Sequence, residues 1–226
     1  MATNVLIPGL LCDRFVWEPV LARIEAEVAD LSTQDSIAGM AEDTLAAFPG
    51  KLRLAGHSMG ARVAMEMARR APERIERLAL LDTGIHPLKA GETEKRAQIV
   101  ALAYEKGMAA LAESWLPPMV HAPNRANRAL MEGLTEMVLR KSPELHERQI
   151  RALVGRPDAA AYLGEIACPT LLVVGREDAW SPVAQHEDML ALMPDARLEV
   201  VEEAGHFAPV EQPDTVAGLL TDFLGS

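Results

Sequence analysis

The sequence predicts an α/β architecture, a doubly wound parallel sheet carrying an all-helical insertion, and three observations carry that prediction. Short runs rich in Val, Leu and Ile alternate with longer segments whose apolar residues recur at helical spacing. The short runs lack the in–out alternation of a half-exposed sheet, as strands covered on both faces do. One long stretch, residues 84–166, breaks the alternation, with helical spacing throughout and no convincing strand.

Taken in order, residues 4–8 form the first apolar run, which stops at Pro8-Gly9. Trp17, Leu21, Ile24 and Val28 recur at helical spacing and predict a helix over 17–28, with a short strand at 28–31. A helix over 36–48 closes at Pro49-Gly50. Residues 51–55 read as a strand and 59–70 as a helix, with Met59, Val63 and Met67 on one face and Pro72 as the stop. Further strands are predicted at 77–81, 170–174 and 197–201, and a last helix at 214–224. Within 84–166, Met108, Leu111 and Trp115 share one helical face, and Leu130, Leu134, Met137 and Val138 another. That stretch has a net charge of +1, leaving −12 for the remainder. The expected division is a core of residues 1–83 and 167–226, about six mostly parallel strands, with 84–166 inserted as a helical cap. The first strand starts almost at Met1.

Composition narrows the class. With 226 residues, 49% hydrophobic and 24% charged, the chain can close a core without a metal or disulfide staple. Disordered, fibrous and membrane classes are excluded by that balance. Lys and Arg number 22 against 33 Asp and Glu, a net charge of −11. Such a surface repels phosphate backbones and anionic headgroups, so nucleic acid and membranes are not expected partners. Cys12 and Cys168 have neither metal spacing nor a framework of pairs, which fits a reducing compartment. The start Met1-Ala2-Thr3-Asn4 has no basic leader region, so a cytoplasmic protein is expected. Oligomeric state has no signature in the sequence.

The chemistry begins at Gly56-His57-Ser58-Met59-Gly60, between a predicted strand and a predicted helix. By composition alone, G-x-S-x-G should occur ~0.03 times in such a chain, so the match carries weight. A serine on a sharp strand-to-helix turn is held in a strained conformation with its hydroxyl lifted above the sheet. That hydroxyl is a poor nucleophile until a base takes its proton, and a carboxylate must orient the base. Two later strand ends supply both. Asp178 follows the strand at 170–174, and His206 follows the strand at 197–201. In open α/β sheets, sites form at that edge. Asp82, at another strand end, and Glu177, beside Asp178, are the rival carboxylates. His57 reads as a structural hydrogen-bonder.

The segments GHSMG (56–60), GREDAWSP (175–182) and AGHFAPVEQP (204–213) together resemble the three catalytic segments of the α/β-hydrolase superfamily. The opening IPGLLCDRFVWEPV (7–20) resembles the oxyanion-loop region of its small esterase-like members. The resemblance covers the chain except for 84–166. It implies Ser58 as nucleophile, His206 as general base and acid, and Asp178 as its orienting partner. Negative charge built on the substrate oxygen needs donors aimed at it. The Met59 N–H is one. Where the family often has His-Gly-X after its first strand, this chain has Pro8-Gly9-Leu10, which makes the Leu10 N–H the second. Leu11, Met59, Trp180 and Phe207 flank these segments, and Trp115, Leu116 and Met119 lie in the predicted cap. As pocket walls they suit an apolar acyl or alcohol group. Arg125 and Arg128 read as solvated surface.

The expected activity is hydrolysis of a small or medium carboxylic ester through an acyl-enzyme, on a small-molecule substrate and with no metal or cofactor. Two rivals stay open. The same triad serves thioester, enol-lactone or C–C hydrolysis and cofactor-free lyase reactions, because the fold does not set the substrate. The other rival is a hydrolase-like ligand sensor with little turnover.

Overall fold

A computed structural model describes residues 2–225; Met1, the first residue of the start read for a leader, lies outside them. Among those residues six strands form one sheet in the order β2-β1-β3-β4-β5-β6. They are β1 (Thr3–Ile7), β2 (Glu27–Val28), β3 (Leu52–His57), β4 (Ile75–Leu81), β5 (Thr170–Gly175) and β6 (Ala196–Val201). Every neighbouring pair is parallel. All six residues of β5 are buried, and five of the six in β3. Burial along whole strands is why these segments read as continuous apolar runs.

Parallel neighbours need crossovers, and helices supply them: α1 (Glu18–Leu21), α2 (Ile37–Ala47), α3 (Met59–Arg70), α4 (Glu92–Trp115), α5 (Arg128–Leu139), α6 (Pro143–Val154), α7 (Val183–Leu192), α8 (Ala208–Glu211) and α9 (Pro213–Gly225). Their starts follow capping chemistry. Ser36, Asn127 and Ser142 each accept a hydrogen bond from the backbone three residues on, and Pro143 follows the Ser142 cap. Helix α3 spans the predicted residues to both ends. Helix α7 had no clear periodic signal in the sequence.

The predicted helix over 17–28 does not form. A 3-10 turn (Arg14–Trp17), capped by Asp13, leads into the single turn of α1, after which the N–H groups of Arg23 and Ile24 both return to the Val20 carbonyl. Beyond it the chain extends, pairing Val28 with Leu6 and donating the Ala29 N–H to the Leu6 carbonyl. Hydrogen bonds along the sheet edge outweigh the 3.6-residue periodicity there.

Between β4 and β5 every regular element is helical. Helix α4 is broken at Gly107, whose φ of 81° and ψ of 172° lie where only glycine sits comfortably. It packs against α5 and α6. Leu111, Leu134, Met137 and Val138, read from the spacing as inward-facing, are fully buried.

The strand order places β1 between β2 and β3, so the chain winds one way from β1 and then the other. The crevice at such a reversal, outside the C-terminal strand ends, is where open sheets hold ligands. Here it lies between the loop after β1 and the loop after β3. No described helix is long and apolar enough to cross a membrane.

Candidate active site

Ser58 joins β3 to α3 with φ 54° and ψ −114°, a backbone conformation that costs a residue with a Cβ about 1–3 kcal/mol. Two glycines make the turn sterically feasible. A Cβ on Gly56 would lie 2.5 Å from the Gly60 carbonyl oxygen, and one on Gly60 would lie 2.1 Å from the Ile7 carbonyl oxygen. Strand, helix and the neighbouring β1 therefore meet backbone to backbone around the serine. The Ser58 N–H donates to the Leu81 carbonyl of β4 at 2.8 Å, which ties the turn to the sheet.

Three strand ends converge there. The Ser58 Oγ lies 2.8 Å from His206 Nε2, and His206 Nδ1 lies 2.8 Å from Asp178 Oδ2. The other Asp178 oxygen accepts the N–H groups of Trp180 at 2.8 Å and Ser181 at 2.9 Å. Burial alone would raise the Asp178 pKa. The charge and hydrogen bond of His206, with those two N–H groups, outweigh it and hold the carboxyl below its ordinary range.

The rival carboxylates point elsewhere. Asp82 accepts the Gly175 N–H at 2.9 Å and makes no hydrogen bond to His206. Burial, reinforced by the charge of Asp178, pushes its pKa well up. His57 Nε2 donates to the His206 carbonyl at 2.7 Å, bracing that loop as a structural histidine would. Burial, and then the charge of His206, pull His57 down to about 3. In the 3.8 Å approach of His57 Nε2 to Asp82, the imidazole is therefore the neutral form. Glu177 faces the Ala204 N–H and His121 instead of His206.

Both predicted oxyanion donors sit at the switch crevice. Met59, the first residue of α3, has one of the N–H groups that a helix start leaves without an intrahelical partner. The loop carrying Leu10 abuts the elbow: a Cβ on Gly9 would lie 3.2 Å from Ser58 Cβ. This loop is held from the side. Gln149 of α6 accepts the Leu11 N–H at 2.8 Å and donates to the Leu31 carbonyl at 3.2 Å. A second brace is Glu211. It accepts the N–H groups of Gly205 and Phe207, which flank His206, and those of His121 and the Asn124 amide between α4 and α5. Neither brace was legible in the sequence, where each is an ordinary polar residue on a helix.

Ser58 and His206 open onto a cavity of about 680 Å³. Of the predicted wall residues, Met59, Trp115, Met119, Trp180 and Phe207 line it, as does Leu10. Leu11 and Leu116 do not, a correction to the sequence reading. Leu11, at φ 58°, turns its side chain into the core, and Leu116 packs into the core just after α4. Arg125 and Arg128 are exposed and lie outside this cavity, Arg128 pairing with Glu132. Cys12 lines it as a thiol that burial pushes up to about 12. The wall is also more basic than the sequence suggested, with Arg62, Arg96 and Arg156 among its residues. Among the described residues, no cluster of three His, Cys, Asp or Glu side chains is placed to hold a metal ion.

Residues 5–219 match the model of the alpha/beta hydrolase family. The chain belongs to that family. Among curated alpha/beta hydrolase relatives, a 2-hydroxy-6-oxononadienedioate/2-hydroxy-6-oxononatrienedioate hydrolase from a Pseudomonas species is 30% identical over 179 residues, 77% of this chain. The chain spans only 63% of that relative's length. Among solved structures, a thermophilic esterase from Thermogutta terrifontis is 27% identical, with a TM-score of 0.89 over 99% of this chain and 89% of that one. The enol-lactonase from Burkholderia xenovorans LB400 shares the fold at a TM-score of 0.89 and 21% identity, over 100% of this chain and 92% of the other.

Proposed function

We propose that this hydrolase-family chain cleaves a small or medium carboxylic ester through an acyl-enzyme. Ser58 is the nucleophile, His206 the base and then the acid, and Asp178 the group that orients His206. The reading rests above all on the two successive 2.8 Å hydrogen bonds that link Ser58, His206 and Asp178, with the serine end facing the cavity. The likeness to an esterase across 99% of the chain supports it.

In this reading Ser58 Oγ attacks the ester carbonyl as its proton passes to His206 Nε2. The N–H groups of Met59 and Leu10 stabilise the oxyanion. His206 returns the proton to the departing alcohol oxygen, leaving an ester on Ser58. Water, deprotonated by the same histidine, then attacks the acyl carbon, and His206 passes that proton to Ser58 Oγ as the acid leaves. Asp178, kept ionised, stabilises the imidazolium formed in both halves. The helices between β4 and β5 (84–166) serve as a cap that adds Trp115 and Met119 to the cavity wall.

A second reading keeps these residues but cleaves a C–C bond, favoured by the name of the Pseudomonas relative. A p-nitrophenyl ester series from acetate to dodecanoate, run beside a 2-hydroxy-6-oxo-dienoate substrate, separates the two. The ester reading expects turnover with a chain-length optimum, lost about a thousandfold or more in Ser58→Ala. Turnover of the dienoate alone would overturn it in favour of C–C cleavage. Equal ester rates in wild type and variant would overturn the role of Ser58.

A further inference from the structure

Several charged or titratable side chains that the proposed chemistry does not use meet on the cavity wall. Arg62 lies on α3 one helical turn beyond Ser58, while Arg96 and Arg156 come from the segment between β4 and β5. Arg62 and Arg156 both donate to one oxygen, the His86 carbonyl, at 3.2 and 3.1 Å. The two guanidinium groups are therefore neighbours.

Their hydrogen bonding differs sharply. All five N–H groups of Arg156 are engaged: by the His86, Leu153 and Pro87 carbonyls and by both oxygens of Glu92. Arg96 shares the same Glu92, donating through Nε at 2.8 Å. Burial works to raise Glu92, but these arginines and the Lys89 N–H hold it at about 2, so it is ionised. Arg62 has the His86 bond and no carboxylate partner among the described residues. Three guanidinium groups thus face one carboxylate, an excess of two positive charges. Burial, and then the charge of Arg156, pull Arg62 down to about 10, the mark of a cation short of counter-charge.

A second deficit lies on the same wall. His146 of α6 is fully buried, and neither of its ring nitrogens has a hydrogen-bond partner. Burial and the charge of Arg96 hold it neutral, with a pKa of about 4, so it offers one donor and one acceptor. Buried polar groups are almost always paired, and an unpaired cation removed from water is costly. A ligand carboxylate answers the Arg62 deficit, because the planar guanidinium fork matches its two oxygens.

We infer that the cavity contains an anion subsite in which Arg62, backed by the Arg96–Glu92–Arg156 cluster, holds a carboxylate of the substrate several bonds from the carbonyl presented to Ser58. This deepens the proposed hydrolase reading and rests on it for the position of the scissile carbonyl. The substrate class becomes an acid-bearing ester instead of the apolar one that the flanking aromatics suggested.

The test compares p-nitrophenolate release from mono-p-nitrophenyl adipate and pimelate with release from the methyl esters of the same half-acids, which lack the free carboxylate. Wild type is expected to favour at least one free acid at least tenfold in kcat/KM, a preference that shrinks between 0.05 and 0.5 M salt. Arg62→Gln should bring that ratio near one, and Arg62→Lys should leave it intermediate. A wild-type ratio of one or below for both chain lengths overturns the subsite without any variant. So does an Arg62→Gln ratio equal to that of wild type.

Binding separates this inference from the reaction assignment. Calorimetric titration of adipate into Ser58→Ala should give binding that disappears on adding Arg62→Gln. That outcome supports the subsite even if Ser58→Ala still turned over esters and sank the serine reading. No adipate heat in Ser58→Ala overturns the subsite while leaving Ser58 chemistry standing. Inorganic phosphate displacing adipate at lower concentration overturns the assignment to a carboxylate.

Discussion

Single residues around His206 work at close range, and their removal should be felt in proportion to the donors they leave bare. Glu211 receives four N–H groups, two of which flank His206. Each buried donor left unpaired costs about 1–3 kcal/mol, partly offset where water enters. Glu211→Ala is therefore expected to destabilise the protein by about 3 kcal/mol in urea unfolding and to lower kcat more than it raises KM. Glu211→Gln keeps an acceptor oxygen and should recover part of both. Unchanged kcat in Glu211→Ala would remove the residue from any part in holding His206. Gly60 is a stricter case. Its missing Cβ would sit 2.1 Å from the Ile7 carbonyl oxygen, so Gly60→Ala should lose about 3 kcal/mol or more, read as a lowered urea midpoint.

At the level of elements, the loop after β1 depends on α6 for its shape. The brace is Gln149, which bonds Leu11 on one side and Leu31 on the other. Gln149→Leu fills the space but leaves the Leu11 N–H and the Leu31 carbonyl without partners. We expect a fall of about tenfold in kcat with a smaller change in KM, since a loosened donor matters most when charge develops on the substrate oxygen. A KM effect alone would mean that the loop only binds. The kinked α4 is the other notable element. A Cβ on Gly107 would point into open space, with no neighbour within 4 Å, so crowding does not require the glycine. Backbone strain alone should make Gly107→Ala cost about 1–3 kcal/mol by urea unfolding.

For the molecule as a whole, acid should loosen the fold well above the carboxylate range. His57, His146 and His186 are buried and neutral, held by burial at about 3, 4 and 4 against an ordinary 6.5. Unfolding below pH 6.5 lets each take up a proton, so stability falls with pH through that window. Each histidine contributes up to about 1.4 kcal/mol per pH unit. Asp82 acts in the opposite sense. Burial raises its carboxyl in the fold, so its titration opposes that of the histidines. Urea unfolding at pH 6 and pH 5 should therefore differ by about 2–3 kcal/mol, the lower pH being the weaker. Equal stability at the two values would contradict the neutral burial of these histidines.

Sequence alone determined what depends on local pattern and chain order. Five of the six strands, helix α3, the strained serine turn, and Ser58, Asp178 and His206 beyond the ends of β3, β5 and β6 were readable. Each is set by a few adjacent residues, and a parallel sheet carries its strand ends to a common edge. Tertiary structure decided what depends on distant helices meeting. The edge pairing of Val28 with Leu6 replaced a helix that spacing had favoured. Core packing turned Leu11 and Leu116 away from the cavity. Gln149, Glu211 and the guanidinium groups around Glu92 acquired their partners only when segments far apart in the chain came together. A polar residue on a helix carries no mark of the donor it will face, because that donor is supplied by the packing and not by its neighbours in sequence.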